Sequence, residues 1–384
     1  MILCEHGPGG EPALFQGAHE VVRAQAAGDV APALARLDAA RAAGFWVAGY
    51  LGYEAGYALE PKLAHLMPAP GAGPLLEFGV FDAPGDAGGV LAQAAAGASG
   101  VRLAPLTPAI SRADYGVSFQ LVKGYIAAGD CYQINLTFPM ETRLEAGSAL
   151  GLYGALRARQ AVGYGAFCDL GGETGAGPLV ISRSPELFLR LSAGGRIEAR
   201  PMKGTAPRDA DPVLDAELAA ELRASQKAQA ENLMIVDLLR NDISRIAVVG
   251  SVKVPELYVV ESFATLHQMS SRVVGQLAAP ASMGGVMAAL FPCGSITGAP
   301  KIRAMQIIAG VEPQPRGVYC GAIGWMGPEG DGCFSVAIRT LSLWPDGRIV
   351  LNVGGGVVQD STEDGEWDEA LWKARYAQAL ARKA

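Results

Sequence analysis

Lys203 sits in ArgProMetLysGlyThrAlaProArg, residues 200–208, between a strand-like segment and a Gly-Thr turn. A lysine amine held neutral is a nucleophile, and a carboxylic acid beside it could protonate a leaving group. Ahead of it run two alternating segments, SerProGluLeuPheLeuArgLeuSerAla and ArgIleGluAlaArgPro, joined at Gly194 and Gly195. They predict a hairpin with a two-residue turn, which would set Glu186 opposite Lys203 on one sheet face. A surface ion pair is the competing explanation of that pairing.

A second group of residues suggests a cation. Glu366, Glu369 and Lys373 recur at helical spacing and share one face. Carboxylates so placed repel unless lysines or an ion lie between them, and an oxygen-only set suits magnesium better than zinc. Glu231 is the natural third donor, because the run LeuMetIleValAspLeuLeu beside it predicts a helix apolar on every side. In such a helix Glu231, Asp237 and Arg240 must be paired or ion-bound. A solvated acidic face is the alternative for Glu366 and Glu369, and a buried salt bridge for Glu231.

Three further signals point to an anionic ligand. Gly354 to Gly356 lie between a strand and a helix, where backbone N–H groups can approach an anion, although a ligand-free turn reads equally well. The Rossmann and Walker spacings are absent. GlySerIleThrGlyAlaProLys, 294–301, opens a helix whose end Ser295 and Thr297 could cap, or their hydroxyls could meet a ligand. Tyr319 and Arg339 are expected on neighbouring strands, and an arginine flanked by Ile338 and Leu341 needs a carboxylate from protein or substrate. His267 follows a SerPheAlaThrLeu strand and reads as structural or catalytic.

The elements that must hold these residues are mixed rather than strictly alternating, which predicts an α+β fold. Helices are expected at 30–43, from Ser111 to about 128, over 211–242 in one or two pieces, and from 363 to 381. Strands are expected at 45–53, 75–81, 130–138, 318–325, 333–343 and 348–353. A Pro-, Ala- and Gly-rich stretch ending near 107 marks the best boundary, giving regions 1–107 and 108–384. The net charge of -7 leaves no basic reserve for nucleic acid or anionic membranes. Six scattered cysteines without CxxC predict reduced, buried thiols rather than disulfides or zinc. No signal peptide or membrane span is visible, so a cytoplasmic protein is expected.

GlyAspCysTyrGlnIleAsnLeuThr (129–137), SerProGluLeuPhe (184–188), ProMetLysGlyThrAlaProArg (201–208), AlaGluAsnLeuMetIleValAspLeuLeuArgAsnAsp (230–242), GlySerIleThrGlyAlaProLys (294–301), AlaIleArgThr (337–340) and GlyGlyGlyValValGlnAspSer (354–361) together closely resemble the chorismate-utilising enzymes. The resemblance runs from Ser111 to the last helix, and residues 49–57 resemble the family's first region. It implies an anthranilate synthase component I-like fold: two packed β-sheets with surrounding helices, a central active-site cleft, and residues 108–384 as the chorismate-binding catalytic domain.

Carried over by motif, Glu231 and Glu369, with Glu366 adjacent, resemble the magnesium site holding the ring carboxylate. Tyr319 and Arg339, with the amides of Gly355 and Gly356 and with Lys373, resemble ligands of the enolpyruvyl carboxylate. Ser295, Thr297 and His267 resemble residues around the ring and its hydroxyl, and Glu186 resembles the general acid. Anthranilate synthases carry a small residue where Lys203 stands. The resemblance is therefore to the branch that uses the lysine and ammonia to make 4-amino-4-deoxychorismate, toward p-aminobenzoate and folate. A separate glutaminase subunit is implied as the ammonia source, since no glutaminase triad is recognisable. An anthranilate synthase large component and a silent chorismate-binding subunit are the rivals. For Lys203, with a reference pKa near ~10.4, burial must favour the neutral amine while an ionised Glu186 opposes it, so Glu186 serves as an acid only if its own pKa is raised.

Overall fold

The chain forms two large antiparallel sheets with helices around them, an α+β architecture, in a computed structural model describing residues 1–69, 73–171, 177–263 and 266–381. In the first sheet the long strand Gln133–Ala146 pairs with Arg348–Val357 over ten residue pairs, and Thr340–Leu343 and Leu179–Ser184 follow. In the second, Met202–Pro207, Leu266–Gln276, Arg196–Arg200, Leu187–Leu191, Gly332–Val336 and Ala322–Met326 lie in that order, with Trp46–Leu51 beyond. Residues 1–107 are built into both sheets: Ile2–Cys4 joins the first and Trp46–Leu51 the second.

Local signals explain the helices. Ser111 caps Arg112–Ala127, its Oγ accepting from the Asp114 amide at 3.1 Å. Asp211 caps Pro212–Ala224 and Ser225 caps Gln226–Ser244, so the 211–242 region is two helices. All six cysteines are buried and unpaired. Among the described residues no helix is long and apolar enough to cross a membrane.

Several expectations needed correction. The hairpin turn is longer than two residues: the Ser192 amide donates to Arg196 O, and Gly195 takes φ +76°. Ladder pairs are therefore Leu191 with Ile197 and Arg190 with Glu198, and Glu186 precedes the strand rather than facing Lys203 across it. The helix Gln226–Ser244 is amphipathic: Leu233 is exposed, while Asp237 and Arg240 form an exposed ion pair at 2.7 Å. Its LeuMetIleValAspLeuLeu run spans both faces, which an apolar count does not reveal.

The expected 333–343 strand is two strands in different sheets, Gly332–Val336 and Thr340–Leu343, with the chain crossing between them at 337–339. The strand before it starts only at Ala322, so Tyr319 stands in a turn and Arg339 in the crossover. Gly354–Gly356 are ladder residues of Arg348–Val357, not a turn. Pro300, not Ser295 or Thr297, precedes helix Lys301–Val311. The terminal helix is interrupted at Ala374 between Glu363–Lys373 and Arg375–Gln378. Residues 264 and 265 of SerPheAlaThrLeu lie outside the described residues; Lys253–Ser262 and Leu266–Gln276 pair on either side.

Candidate active site

A cleft of about 220 Å³ runs between the sheets, and among the residues singled out above it is lined by Glu186, Lys203, Glu231, Ser295, Tyr319, Arg339, Gly354, Gly356, Glu366, Glu369 and Lys373. Glu186 and Lys203 arrive by different routes. Glu186 sits just ahead of Leu187–Leu191, its amide donating to Ser184 Oγ at 3.2 Å. Lys203 sits on Met202–Pro207, with Nζ donating to Ser295 O at 3.2 Å. The Glu186 carboxyl is 5% exposed, and among the described residues its Oε1 has no hydrogen-bond partner. Burial raises its pKa above the usual carboxylate range, against the opposing pull of the Ser295 hydroxyl and the Lys203 charge. That environment suits an acid holding its proton.

Arg339 owes its place to the crossover. Its φ of +51° is in the left-handed region, which costs a side-chain-bearing residue on the order of 1–2 kcal/mol. Between two sheets its guanidinium is desolvated, which lowers its pKa, while Tyr376 and Glu186 act oppositely. It forms no salt bridge among the described residues, so a partly buried cation lines the cleft ready for an anionic group. Tyr319 lines the cleft beside it, its hydroxyl pushed well above its ordinary value by burial.

Glu366 and Glu369 lie over Gly355. A Cβ on Gly355 would stand 2.7 Å from Glu366 Oε2, so a larger residue would displace the end of that side chain, and 3.6 Å from Glu369 Oε1, an ordinary contact. Gly354 has a similar constraint toward the neighbouring strand, where a Cβ would meet Leu136 O at 2.2 Å. Glu366 accepts from Ser361 Oγ at 2.6 Å, yet burial raises its pKa. Burial also raises that of Glu231, whose nearest cation is Lys227 at 4.0 Å. For Glu369 burial pushes up but is outweighed by Lys373, 2.8 Å away, together with Lys203 and Lys227, and its pKa is lowered. Lys373 also donates to Gly354 O at 2.7 Å. The oxygen-only donors and glycine cradle fit a hard cation, although among the described residues no three such groups close on one point as they stand.

Three expected residues are not in the lining. His267 is 1% exposed, with Nδ1 2.8 Å from Ser262 Oγ and Nε2 3.0 Å from Asp215 Oδ1. Strand alternation explains it: His267, Met269 and Ser271 face the helices 212–224 and 226–244, where Met269 packs on Leu222 and Ala228 and Ser271 bonds Asn232. Gln268, on the opposite face, lines the cleft instead. Thr297 turns its hydroxyl to Cys293 O and Gly294 O, closing its own turn. Gly355 lies behind the carboxylates it makes room for.

The sequence reading missed Lys227, Gln268, Asn135 and Asn352 in the lining. It also missed Arg316, buried behind the cleft, which bonds Glu312 at 2.7 Å, Ile296 O and Asn135 O. The sequence carries no local signal for it, because Glu312 and Arg316 frame two prolines beyond the end of helix Lys301–Val311, where helical spacing does not apply.

Residues 6–379 match the family described as chorismate binding enzyme, and the chain belongs to it. It is 45% identical over 264 residues to aminodeoxychorismate synthase component 1 of Klebsiella aerogenes, covering 69% of this chain and 57% of that protein. With the protein of the same name from Escherichia coli K12 it shares 44% over 264 residues, covering 69% and 56%. With anthranilate synthase component 1 of Streptomyces coelicolor it shares 39% over 303 residues, covering 76% and 58%. The chain thus spans a little over half the length of these curated relatives. Its fold matches the crystal structure of anthranilate synthase component I from Streptococcus pneumoniae TIGR4 with a TM-score of 0.80 at 25% identity, covering 95% of this chain and 91% of that one. It also matches the menaquinone-specific isochorismate synthase of Escherichia coli, with a TM-score of 0.74 at 17% identity over 99% and 88% of the two chains, which bears on the fold alone.

Proposed function

We propose that the protein converts chorismate and ammonia to 4-amino-4-deoxychorismate, with ammonia drawn from glutamine by a separate glutaminase subunit in the cytoplasm. The carrying observation is the position of Lys203 in the cleft with the buried carboxyl of Glu186 and with Arg339, which forms no salt bridge among the described residues. The names of the Klebsiella and Escherichia relatives support the same reading.

In this mechanism Arg339 and Tyr319 bind the enolpyruvyl carboxylate, with Lys373 able to turn from Glu369 toward it. Lys203 Nζ forms a C–N bond to the ring as the ring C–O bond breaks, and Glu186 gives its proton to the departing hydroxyl, which leaves as water. Ammonia then forms the second C–N bond as the Lys203 bond breaks, and the proton it sheds restores the acid. Two substitutions leave the amine where the hydroxyl was. Glu231, Glu366 and Glu369 would hold a magnesium ion, which would supply positive charge for the ring carboxylate.

Incubation with chorismate, ammonium and magnesium, with products separated and weighed, tests the reading. 4-Amino-4-deoxychorismate is expected. Anthranilate as the sole product would replace this function with that of the Streptomyces coelicolor relative, and unchanged chorismate would favour a silent binder.

A further inference from the structure

Strand Met202–Pro207 changes register against Leu266–Gln276: Met202 pairs with Ser270, but Thr205 pairs with Gln268. Lys203 and Gly204 together oppose the single residue Met269, which is a β-bulge. In an unbroken ladder Lys203 would pair with Met269 and share its face, toward Leu222 and Ala228. Gly204 takes that place instead. Its φ is +83°, and a Cβ there would meet Ala228 Cβ at 2.8 Å and Leu222 Cδ1 at 3.2 Å. Lys203 is thereby released to the opposite side, where Nζ reaches Ser295 O.

Gln268 holds the irregular turn from the cleft side. Gln268 Nε2 donates to Gly204 O at 2.9 Å, and its Oε1 accepts from Thr205 Oγ1 at 3.3 Å. We propose that this bulge, clamped by Gln268, is what aims the Lys203 amine into the cleft, which makes Gln268 a positioning residue for the nucleophile. The proposal rests on the reading of Lys203 as the residue that attacks the ring. A reactive amine gains from being held in line with its target, and a loosened bulge forfeits that alignment while Arg339 and Tyr319, assigned to the enolpyruvyl carboxylate, stay in place.

The test uses Gln268→Met, which keeps the length of the side chain and removes both hydrogen bonds. Chorismate is added without ammonia, and the mass increase on the Lys203 peptide is followed in time. The rate should fall at least about tenfold while the chorismate Kd stays within about twofold. In parallel, amide hydrogen exchange of residues 203–206 should accelerate at least about tenfold relative to the rest of the sheet. If the unaltered chain forms no adduct, the lysine reading fails by itself and the exchange arm decides the clamp. An adduct rate or an exchange rate in Gln268→Met within about twofold of the unaltered chain overturns the assignment. Thr205→Val, which removes the weaker bond alone, should give an intermediate exchange rate; no acceleration there together with none in Gln268→Met counts against the clamp as well.

Discussion

Replacing Glu186 by Gln should separate activity from stability in opposite directions. The carboxyl is 5% exposed with one oxygen unpartnered among the described residues, and burial raises its pKa. A neutral amide of the same shape loses only the transferable proton. General acids contribute about 10²–10⁴ in rate, or ~2.7–5.4 kcal/mol of barrier, so kcat should fall by that range with chorismate KM within about threefold. For stability, the native state holds the Glu186 proton more tightly than the unfolded chain. This contribution is fully present below the unfolded pKa and is lost as pH rises through the folded one. The amide does not titrate and has no such loss, so E186Q should be more stable than the unaltered chain at pH 8. The difference should vanish near pH 4. Urea unfolding at both pH values, beside steady-state rates, measures the two effects. Equal activity, or lower stability of E186Q at pH 8, would refute the assignment of Glu186 as a buried acid.

Arg339→Met should raise the chorismate KM by about 10²-fold, the scale of one lost charge-assisted pair, with little loss of fold because the guanidinium has no salt bridge among the described residues. Gly355→Ala should displace the Glu366 carboxylate, which a Cβ would approach to 2.7 Å, and raise the magnesium concentration for half-maximal activity about tenfold, measured by metal titration. Arg316→Met should destabilise the fold by about 3–5 kcal/mol, because it leaves Glu312 buried without its partner; unfolding curves of a double variant with Glu312→Leu should recover part of it.

What the sequence disclosed was decided by local chemistry. Ser111 and Asp114 announce the helix 112–127, and the motif chemistry of Lys203, Glu231 and Arg339 places them in one cleft. What it concealed depends on long-range geometry. Three consecutive glycines usually mean a turn, and nothing in the sequence says that Gly355 clears space for carboxylates on a helix beyond it. Arg339 takes a left-handed φ in an unremarkable apolar segment, so the crossing between sheets carries no glycine or proline signal. The Lys203 bulge slips the register after Met202, and the hairpin upstream gains a residue, so alternation alone misassigns which side chains meet. His267 was attached to the site by resemblance, while strand parity turns it to Asp215.

The central claim is that Lys203 attacks the ring, and mass spectrometry of the intact chain tests it most directly. Chorismate without ammonia should add one ring-derived mass that maps to the Lys203 peptide and disappears when ammonium is added. In Lys203→Ala the adduct should be absent and the ammonia-dependent rate reduced by several kcal/mol of lost proximity at most, on the order of 10³-fold. A Lys203→Ala chain that makes 4-amino-4-deoxychorismate at the unaltered rate would contradict the account.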